Sequence, residues 1–289
     1  MLSSGQASSD VRLLDLVHAV ALTGDQDAIQ QLTDIQIEDA EDALSLITKS
    51  RNRLLKILIK SAQKYVVIPT VMLEGVRCSS SEIVYRGAFA DIFRGTYKNM
   101  DVAIKSPRIF QSTTNEEFDA TKKQFIREVG LWKALDHRHV LPLLGASADA
   151  LKNRPMCMVM PWMRQGTIRD RVHTGQRQGG IADVHHIESV SEWIAAGLEY
   201  IHSKGIVHGD LHGGNILIDD DYMMRITDLG MSVIAEATPH NYASIHGGGN
   251  QHFTAPELFS PEDFGMSEAR PTYATDVYAF ACLCVEMSC

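Results

Sequence analysis

Cysteine is scarce in this sequence, and the cysteines show no pairing pattern. There are five, an odd number, with neither CxxC pairs nor the spacing of a disulfide framework. They are Cys78, Cys157, Cys282, Cys284 and Cys289. This usage disfavours a disulfide-stapled secreted domain and fits reduced thiols in the cytosol.

Long apolar runs and a targeting leader are also missing. The first ten residues are largely polar, no cationic start leads into an apolar stretch, and no run of 18 or more apolar residues occurs. Neither secretion nor a transmembrane segment is predicted. We therefore expect a cytoplasmic location.

Positive charge is in deficit. The chain has 27 Lys and Arg against 36 Asp and Glu, which gives a formal net charge of -9 at pH 7. This balance disfavours a general phosphate-backbone binder, so no nucleic-acid partner is predicted. The 289 residues are 45% hydrophobic, enough to bury a sizeable core in one large domain or two smaller ones.

The first part of the chain has a helical pattern. Apolar residues recur at helical spacing from residue 10 to about residue 65, which predicts two or three amphipathic helices. The basic stretch TKSRNRLLKILIKSAQK could lie on an anionic membrane, but solvated basic and acidic faces that attract each other are the favoured interpretation. By position, we expect residues 1–75 to be a helical regulatory segment that contacts a protein partner.

Strands and helices follow from about residue 68. Short β-branched runs with glycine-containing turns predict three antiparallel strands, SEIVYRG, DIFRGTY and DVAIK. Further strands are predicted for VLPLLGA and MCMVMPW, and a hairpin for NILIDD with MMRITD. Helices are predicted for NEEFDATKKQFIREVGLWKAL, for VHHIESVSEWIAAGLEYIHSKG, which Gly205 ends, and for TYATDVYAFACLCVEMSC, which is apolar enough to be buried. This order indicates an α+β fold.

One glycine-rich stretch concentrates chemically active side chains, VHGDLHGGNIL at residues 207–217. Asp210 and Asn215 can direct oxygen atoms into one cavity, and oxygen ligands suit Mg²⁺. The predicted hairpin brings Asp228 close to Asn215 and so adds a second carboxylate. Taken singly, each of these three residues is better explained as a turn residue than as a metal ligand. Lys105 at the end of DVAIK, which alone fits a solvated strand edge, can be oriented toward phosphates by Glu128.

In this order the motifs resemble the eukaryotic protein kinase domain, most closely its tyrosine-kinase-like group of serine/threonine kinases. The matching stretches are RGAFADIFRG as the glycine-rich loop, VAIK, the Glu128 helix, HGDLHGGN as the catalytic loop, DLG, APE and DVYAF. The resemblance implies a two-lobed fold over residues 76–289. The small lobe with its antiparallel sheet would cover about 76–163, and the mainly helical large lobe about 164–289.

The resemblance also implies a reaction and its residues. A kinase would transfer the γ-phosphate of ATP, with Mg²⁺, to Ser or Thr hydroxyls of a protein substrate, or to Tyr. Asp210 would accept the hydroxyl proton. Lys105 would pair with the α- and β-phosphates and be oriented by Glu128. Asn215 and Asp228 would hold Mg²⁺. The residues implied in nucleotide binding are Gly87, Ala88, Phe89, Ile92, Ala103, Lys105, Met160, Met163 and Leu217.

Several positions depart from the family pattern. The three-glycine pattern reads Tyr85, Gly87 and Ala90, so weaker ATP binding is expected where a Cβ replaces hydrogen. Gly209 stands in place of the usual Arg, which makes switching by activation-loop phosphorylation less expected. His212 replaces Lys, which leaves the choice between Ser/Thr and Tyr open. Hydroxyls available in that loop are Ser232, Thr238, Tyr242, Ser244 and Thr254.

Two other functions stay open on the sequence alone. A pseudokinase or scaffold is favoured by the degraded glycine loop and opposed by the complete set of charged residues. A small-molecule kinase of the aminoglycoside phosphotransferase type would lack APE and DVYAF, which are present. The chain ends where the family continues with further helices, so we expect a C-terminally truncated domain of low stability and low activity.

Overall fold

The computed structural model describes residues 72–79, 82–87, 90–108, 114–154, 156–172, 184–230, 232–234 and 251–288. All of them belong to one unit, Leu58–Cys289. The helices predicted for residues 10–65, and the partner contact expected of them, lie outside the described residues. No helix in the described ranges has the length and hydropathy that a membrane crossing requires.

Six of the described strands form one antiparallel sheet. Its main path runs β1-β3-β4-β6-β5, and β2 pairs with β3. The strands are β1 (Arg77–Cys78), β2 (Tyr85–Arg86), β3 (Ala90–Tyr97), β4 (Met100–Pro107), β5 (Gly145–Ser147) and β6 (Cys157–Pro161). One sheet face carries the buried apolar cluster Val76, Phe93, Val102, Ile104, Ala150, Leu151, Cys157 and Val159.

The structure adds one strand that was not predicted and shortens one that was. β1 was not predicted, because a strand of two residues shows no alternation. The predicted strand VLPLLGA pairs with the sheet only from Gly145 onward. Before it, Leu141 donates its N–H to the carbonyl of Ile226 at 2.8 Å, and Pro142 has no N–H to donate to a ladder. Residues 141–144 therefore connect the sheet to the helical part.

Helix α1 (Asn115–Lys133) begins at a capping box. Thr114 Oγ1 accepts the N–H of Glu117 at 3.2 Å, and Glu117 Oε2 accepts the N–H of Thr114 at 2.7 Å. At the other end Trp132 donates its indole N–H to the carbonyl of Leu141 at 2.6 Å. The helix buries Phe125, Ile126, Glu128, Val129, Leu131 and Trp132. Because Glu128 is buried among apolar neighbours, it needs a charged partner.

The second half of the described chain is mainly helical. Its elements are α2 (Val184–Ser203), β7 (Ile206–Val207), β8 (Ile216–Ile218), β9 (Met224–Ile226), β10 (Val233–Ile234), α3 (Pro256–Phe259) and α4 (Tyr273–Ser288). The predicted hairpin is confirmed, since β8 and β9 pair antiparallel. Gly205 has a φ of 72°, a left-handed conformation that suits glycine just after a helix.

The apolar sequence of helix α4 predicted a helix buried on all sides, but the structure buries only one side. The buried residues are Thr275, Asp276, Ala279, Leu283 and Met287, which recur every three or four positions along one stripe. Val277 and Val285 on the other side are 56% and 62% exposed. The prediction was wrong because, among the described elements, α4 packs mainly on α2 and on the short 3-10 helix Gln251–Phe253, which leaves its other side exposed.

Candidate active site

A buried lysine joins the sheet to helix α1. Lys105 lies on β4, opposite Ile92 of β3 and Met158 of β6. Its Nζ is 2.7 Å from Glu128 Oε1 and 2.6 Å from Asp228 Oδ1. These three residues are far apart in sequence, and the fold brings them together as the sequence predicted for Lys105 and Glu128.

The two carboxylates set the charge of this lysine. Burial alone would lower the pKa of Lys105, but Asp228 and Glu128 outweigh it and raise the pKa above its ordinary value. Burial alone would raise the pKa of Asp228, but Lys105 holds it below its ordinary value. Lys105 is therefore a fixed cation that faces the cleft beside an ionised Asp228.

The loop of Asp210 is built on backbone hydrogen bonds. Asn215 donates its Nδ2–H to the carbonyl of Asp210 at 2.8 Å and lies 3.4 Å from its Oδ2. His208 is fully buried, and its Nδ1 accepts the N–H of Asp210 at 3.2 Å. Burial raises the pKa of Asp210; His208 opposes the rise and Asp228 adds to it. A raised pKa makes this carboxylate a better proton acceptor than a free aspartate.

Asp228 stands where the β8–β9 hairpin ends. Thr227 donates its N–H to the carbonyl of Asn215 at 2.9 Å, which ties the two ends of the hairpin together. Asp228 has a φ of 63°, rare outside glycine, and its Oδ1 accepts the N–H of Gly230 at 3.2 Å. Asn215 therefore lies next to Thr227, the neighbour of Asp228, as the hairpin predicted.

The described residues implied in nucleotide binding lie on four strands, β3, β4, β6 and β8, and in two connections. Ala103 of β4 is opposite Met160 of β6, whose side chain is buried, and Leu217 belongs to β8. Met163 follows β6 in the connection to the helical part. Gly87 donates its N–H to the carbonyl of Ala90 at 2.9 Å, which closes the turn at the tip of the sheet. Ala88 and Phe89 lie outside the described residues.

A cavity of about 150 Å³ opens beside Lys105. Besides Lys105, Glu128 and Asp228, it is lined by residues that the sequence did not suggest: Ala90, Pro107, Arg108, Thr121, Gln124, Phe125, Met158 and Gly230. Ile92, Ala103 and Leu217 are not among the lining residues. The cavity is thus on the α1 side of the cleft, next to the charged group.

Asp276 is a buried residue of the site that the sequence did not assign. Its carboxylate accepts the backbone N–H of His208 at 2.7 Å and of Gly209 at 2.8 Å. His202 Nε2 lies 2.8 Å from the same carboxylate. In the sequence Asp276 stands out only as an acid in the first turn of a mostly apolar helix, and its hydrogen-bond partners lie 67 or more residues away along the chain.

One of the hydroxyls that the sequence left available for phosphorylation, that of Ser232, is buried. Ser232 is 1% exposed and donates its hydroxyl to the carbonyl of His208 at 3.1 Å. Arg127 on α1 donates to the carbonyl of Ser232. Ser232 therefore links α1 to the loop of Asp210, and its hydroxyl is not accessible. Thr238, Tyr242 and Ser244 lie outside the described residues.

Comparison with known families gives the class to which this fold and site belong. The family described as protein tyrosine and serine/threonine kinase matches residues 79–289. The chain belongs to this family, and the sheet and the helical part are the small and large lobes of the protein kinase fold.

Curated relatives agree with this assignment. The chain is 28% identical to serine/threonine/tyrosine-protein kinase HT1 of Arabidopsis thaliana over 70% of the chain and 48% of the relative. It is 27% identical to serine/threonine-protein kinase STY46 of the same plant, over 62% of the chain and 28% of the relative. It is 26% identical to a nodulation receptor kinase of Pisum sativum over 71% of the chain and 21% of the relative. The chain spans half or less of the length of these relatives.

Proposed function

We propose that the chain is a protein kinase that transfers the γ-phosphate of ATP to Ser or Thr hydroxyls of proteins, or to Tyr hydroxyls. The observation that carries the proposal is the contact of Lys105 with both Glu128 and Asp228 at 2.7 and 2.6 Å. A buried, permanently charged lysine aimed into a cleft is suited to bind phosphate oxygens. The family membership and the kinase names of the relatives support the same function.

The nucleotide is proposed to lie between the two lobes. Ile92, Ala103 and Leu217 contact the two faces of the adenine, and Met160 closes the back of its pocket. The backbone of Met163 pairs with the adenine edge. Lys105 contacts the α- and β-phosphates, and Gly87, Ala88 and Phe89 cover the phosphates from the glycine-rich loop.

Asn215 and Asp228 are the proposed ligands of Mg²⁺, and their surroundings fit this role. The Nδ2–H of Asn215 is held by the carbonyl of Asp210, so its amide oxygen faces away from that carbonyl. Asp228 uses Oδ1 to accept from Lys105 and Gly230 and has no hydrogen bond at Oδ2 among the described residues. Mg²⁺ suits such oxygen ligands, together with nucleotide phosphates, and when bound it neutralises phosphate charge.

Asp210 is the proposed base of the reaction. The hydroxyl oxygen of the substrate attacks the γ-phosphorus, the bond to the leaving β-phosphate oxygen breaks, and the hydroxyl proton passes to the Asp210 carboxylate. Little covalent chemistry is required of the protein, so positioning and charge do most of the work. The hydrogen bond from Asn215 to the Asp210 carbonyl and the one from the Asp210 N–H to His208 fix the backbone that carries this carboxylate.

The alternatives are less well supported. A pseudokinase role is opposed because Lys105, Glu128, Asp210, Asn215 and Asp228 are all present, with Lys105 bonded to Glu128 and Asp228 and with Asn215 bonded to Asp210. A small-molecule phosphotransferase finds no support in the family match, which is to protein kinases.

The test is phosphate transfer from Mg-ATP to casein and to the chain itself, with Asp210→Ala beside the unaltered protein. Loss of the base is expected to lower the rate by roughly 10²-fold to 10⁴-fold. Binding of Mg-ATP with no transfer by the unaltered protein would favour the scaffold role instead. Asp263→Asn, an exposed position in a short 3-10 helix, is the control that leaves the rate unchanged.

A further inference from the structure

His212 lies beside the proposed base. Its Nε2 is 3.7 Å from Asp210 Oδ2, and the two side chains are 14% and 23% exposed. This separation is too long for a direct hydrogen bond, which requires about 3.2 Å or less between nitrogen and oxygen. Two polar atoms therefore face each other across a gap at the centre of the proposed reaction.

The position of the ring proton follows from the loop backbone. Gly214 donates its N–H to His212 Nδ1 at 3.0 Å. A ring nitrogen that accepts a hydrogen bond cannot carry a proton itself, so the proton is on Nε2. The group that faces the Asp210 carboxylate is therefore an N–H donor.

The ring cannot easily leave this position. On one side the ring packs against Phe253, with 5.9 Å between the ring centroids and an interplanar angle of 57°. The backbone of Gly214 is also close to the ring. A Cβ added at Gly214 would lie 3.0 Å from His212 Cε1, which is closer than most Cβ contacts in proteins.

A donor and a carboxylate 3.7 Å apart can share one oxygen atom that lies about 2.8 Å from each. A hydroxyl suits this place, because its oxygen accepts a hydrogen bond while its hydrogen is donated. Resting on the proposed function, we propose that His212 is a further catalytic residue that binds the oxygen of the acceptor hydroxyl through Nε2–H. The proton of that hydroxyl then passes to Asp210 as the new oxygen–phosphorus bond forms, and the bond from Nε2–H stays in place.

Two substitutions separate this role from a merely structural one. His212→Asn keeps an acceptor for the Gly214 N–H, where Asn is a favourable capping residue, but it removes the donor at the Nε2 position. His212→Gln gives up the acceptor for the Gly214 N–H but keeps a donor, because its longer side chain can place an amide N–H near the Nε2 position. Both variants are compared with the unaltered chain for kcat and KM on casein and for KM on ATP.

We expect His212→Asn to lower kcat/KM for casein by roughly 10²-fold, the loss typical of one active-site donor. KM for ATP and the melting temperature should stay unchanged, and His212→Gln should recover part of the rate. The opposite order, with Asn active and Gln inactive, would assign the side chain to capping and overturn the proposal. The matched control is His137→Asn, since His137 Nδ1 also accepts an N–H two residues on, at 3.3 Å from His139 N.

A second measurement does not depend on phosphate transfer. In ¹⁵N-labelled protein, the ring nitrogens of His212 should report a proton on Nε2, and the Nε2 resonance should shift in Asp210→Asn but not in Asp263→Asn. If the unaltered chain transfers no phosphate, the proposed function fails while this juxtaposition is still tested. A proton on Nδ1, or an Nε2 resonance that does not shift in Asp210→Asn, would overturn the assignment of His212.

Discussion

The carboxylate of Asp276 on helix α4 accepts the backbone N–H of Gly209 at 2.8 Å. The same carboxylate accepts the N–H of His208 at 2.7 Å and contacts His202. Gly209 has a φ of 80°, so the loop is held in a conformation that few residues adopt unaided. One buried acid on a distant helix therefore fixes the backbone that carries Asp210.

Replacing Asp276 with asparagine should destabilise the protein and slow the proposed transfer. An amide offers one acceptor where the carboxylate has two, so a buried N–H of the loop is left unpaired at a cost of about 1–3 kcal/mol. Urea unfolding measures this change, and Asp263→Asn, on the exposed surface, should stay within about 0.5 kcal/mol of the parent protein. Equal stability of Asp276→Asn and its parent would show that this carboxylate does not hold the loop.

Lys105→Met should lose both ATP binding and stability. The Glu128 side chain is 9% exposed, and without Lys105 its carboxylate is buried without a counter-charge. Removing one partner of a buried pair costs about 3–5 kcal/mol, less if Glu128 takes up a proton. Glu128→Gln should cost less stability, because Lys105 keeps its contact with Asp228.

Thermal unfolding and Mg-ATP titration measure these two effects. Arg94→Met removes an exposed ion pair with Asp101 at 2.8 Å and should change stability by about 1 kcal/mol or less. If Lys105→Met bound Mg-ATP as tightly as the parent protein, the proposed phosphate contact would be wrong.

The parts of the site that are close along the chain could be predicted from the sequence. Asp210 and Asn215 share one glycine-rich loop, and the hairpin pattern was enough to bring Asp228 beside Asn215. The pairing of Lys105 with Glu128 could be predicted because one lies on a strand and the other on the helix that follows it. In each case local spacing and element type decide the neighbour.

The parts that depend on long-range packing could not be predicted. Nothing local to Asp276 indicates that its acceptors will meet the N–H groups of His208 and Gly209. The burial of Ser232 depends on Arg127, 105 residues earlier. The one-sided burial of α4 is set by α2 and the short 3-10 helix Gln251–Phe253, which a mostly apolar helix sequence does not indicate. Such contacts are set by how elements pack and leave no periodic signal.

The stability of the small lobe should depend on pH through Asp91. Its side chain is 5% exposed and accepts from Arg108 at 2.8 Å and Arg154 at 2.9 Å. Burial alone would raise the pKa of Asp91, but Arg108 and Arg154 together lower it. A lowered pKa means that the stabilisation is complete above the unfolded pKa of about 3.9 and is lost as pH falls through the folded pKa.

Urea unfolding from pH 6 down to pH 3 tests this dependence. The free energy of unfolding should fall more steeply below about pH 4 in the parent protein than in Asp91→Asn, which cannot titrate. At pH 6 the variant should be less stable by about 3 kcal/mol, since two arginines lose a buried counter-charge. Parallel curves for the two proteins would rule out Asp91 as the titrating group.

Gly197→Ala should destabilise helix α2, although alanine is the better helix former. An added Cβ would lie 2.7 Å from the carbonyl oxygen of His139 and 3.0 Å from Ile226 Cδ1. The backbone oxygen can move only with its chain, so the strain should cost about 1–3 kcal/mol and exceed the gain of about 1 kcal/mol in helix propensity. The pair Glu192→Ala and Glu192→Gly, at an exposed position of the same helix, gives the propensity term alone and should favour alanine. Chemical denaturation of all three variants decides the matter: a more stable Gly197→Ala would mean that α2 and the His139 backbone are not in close contact.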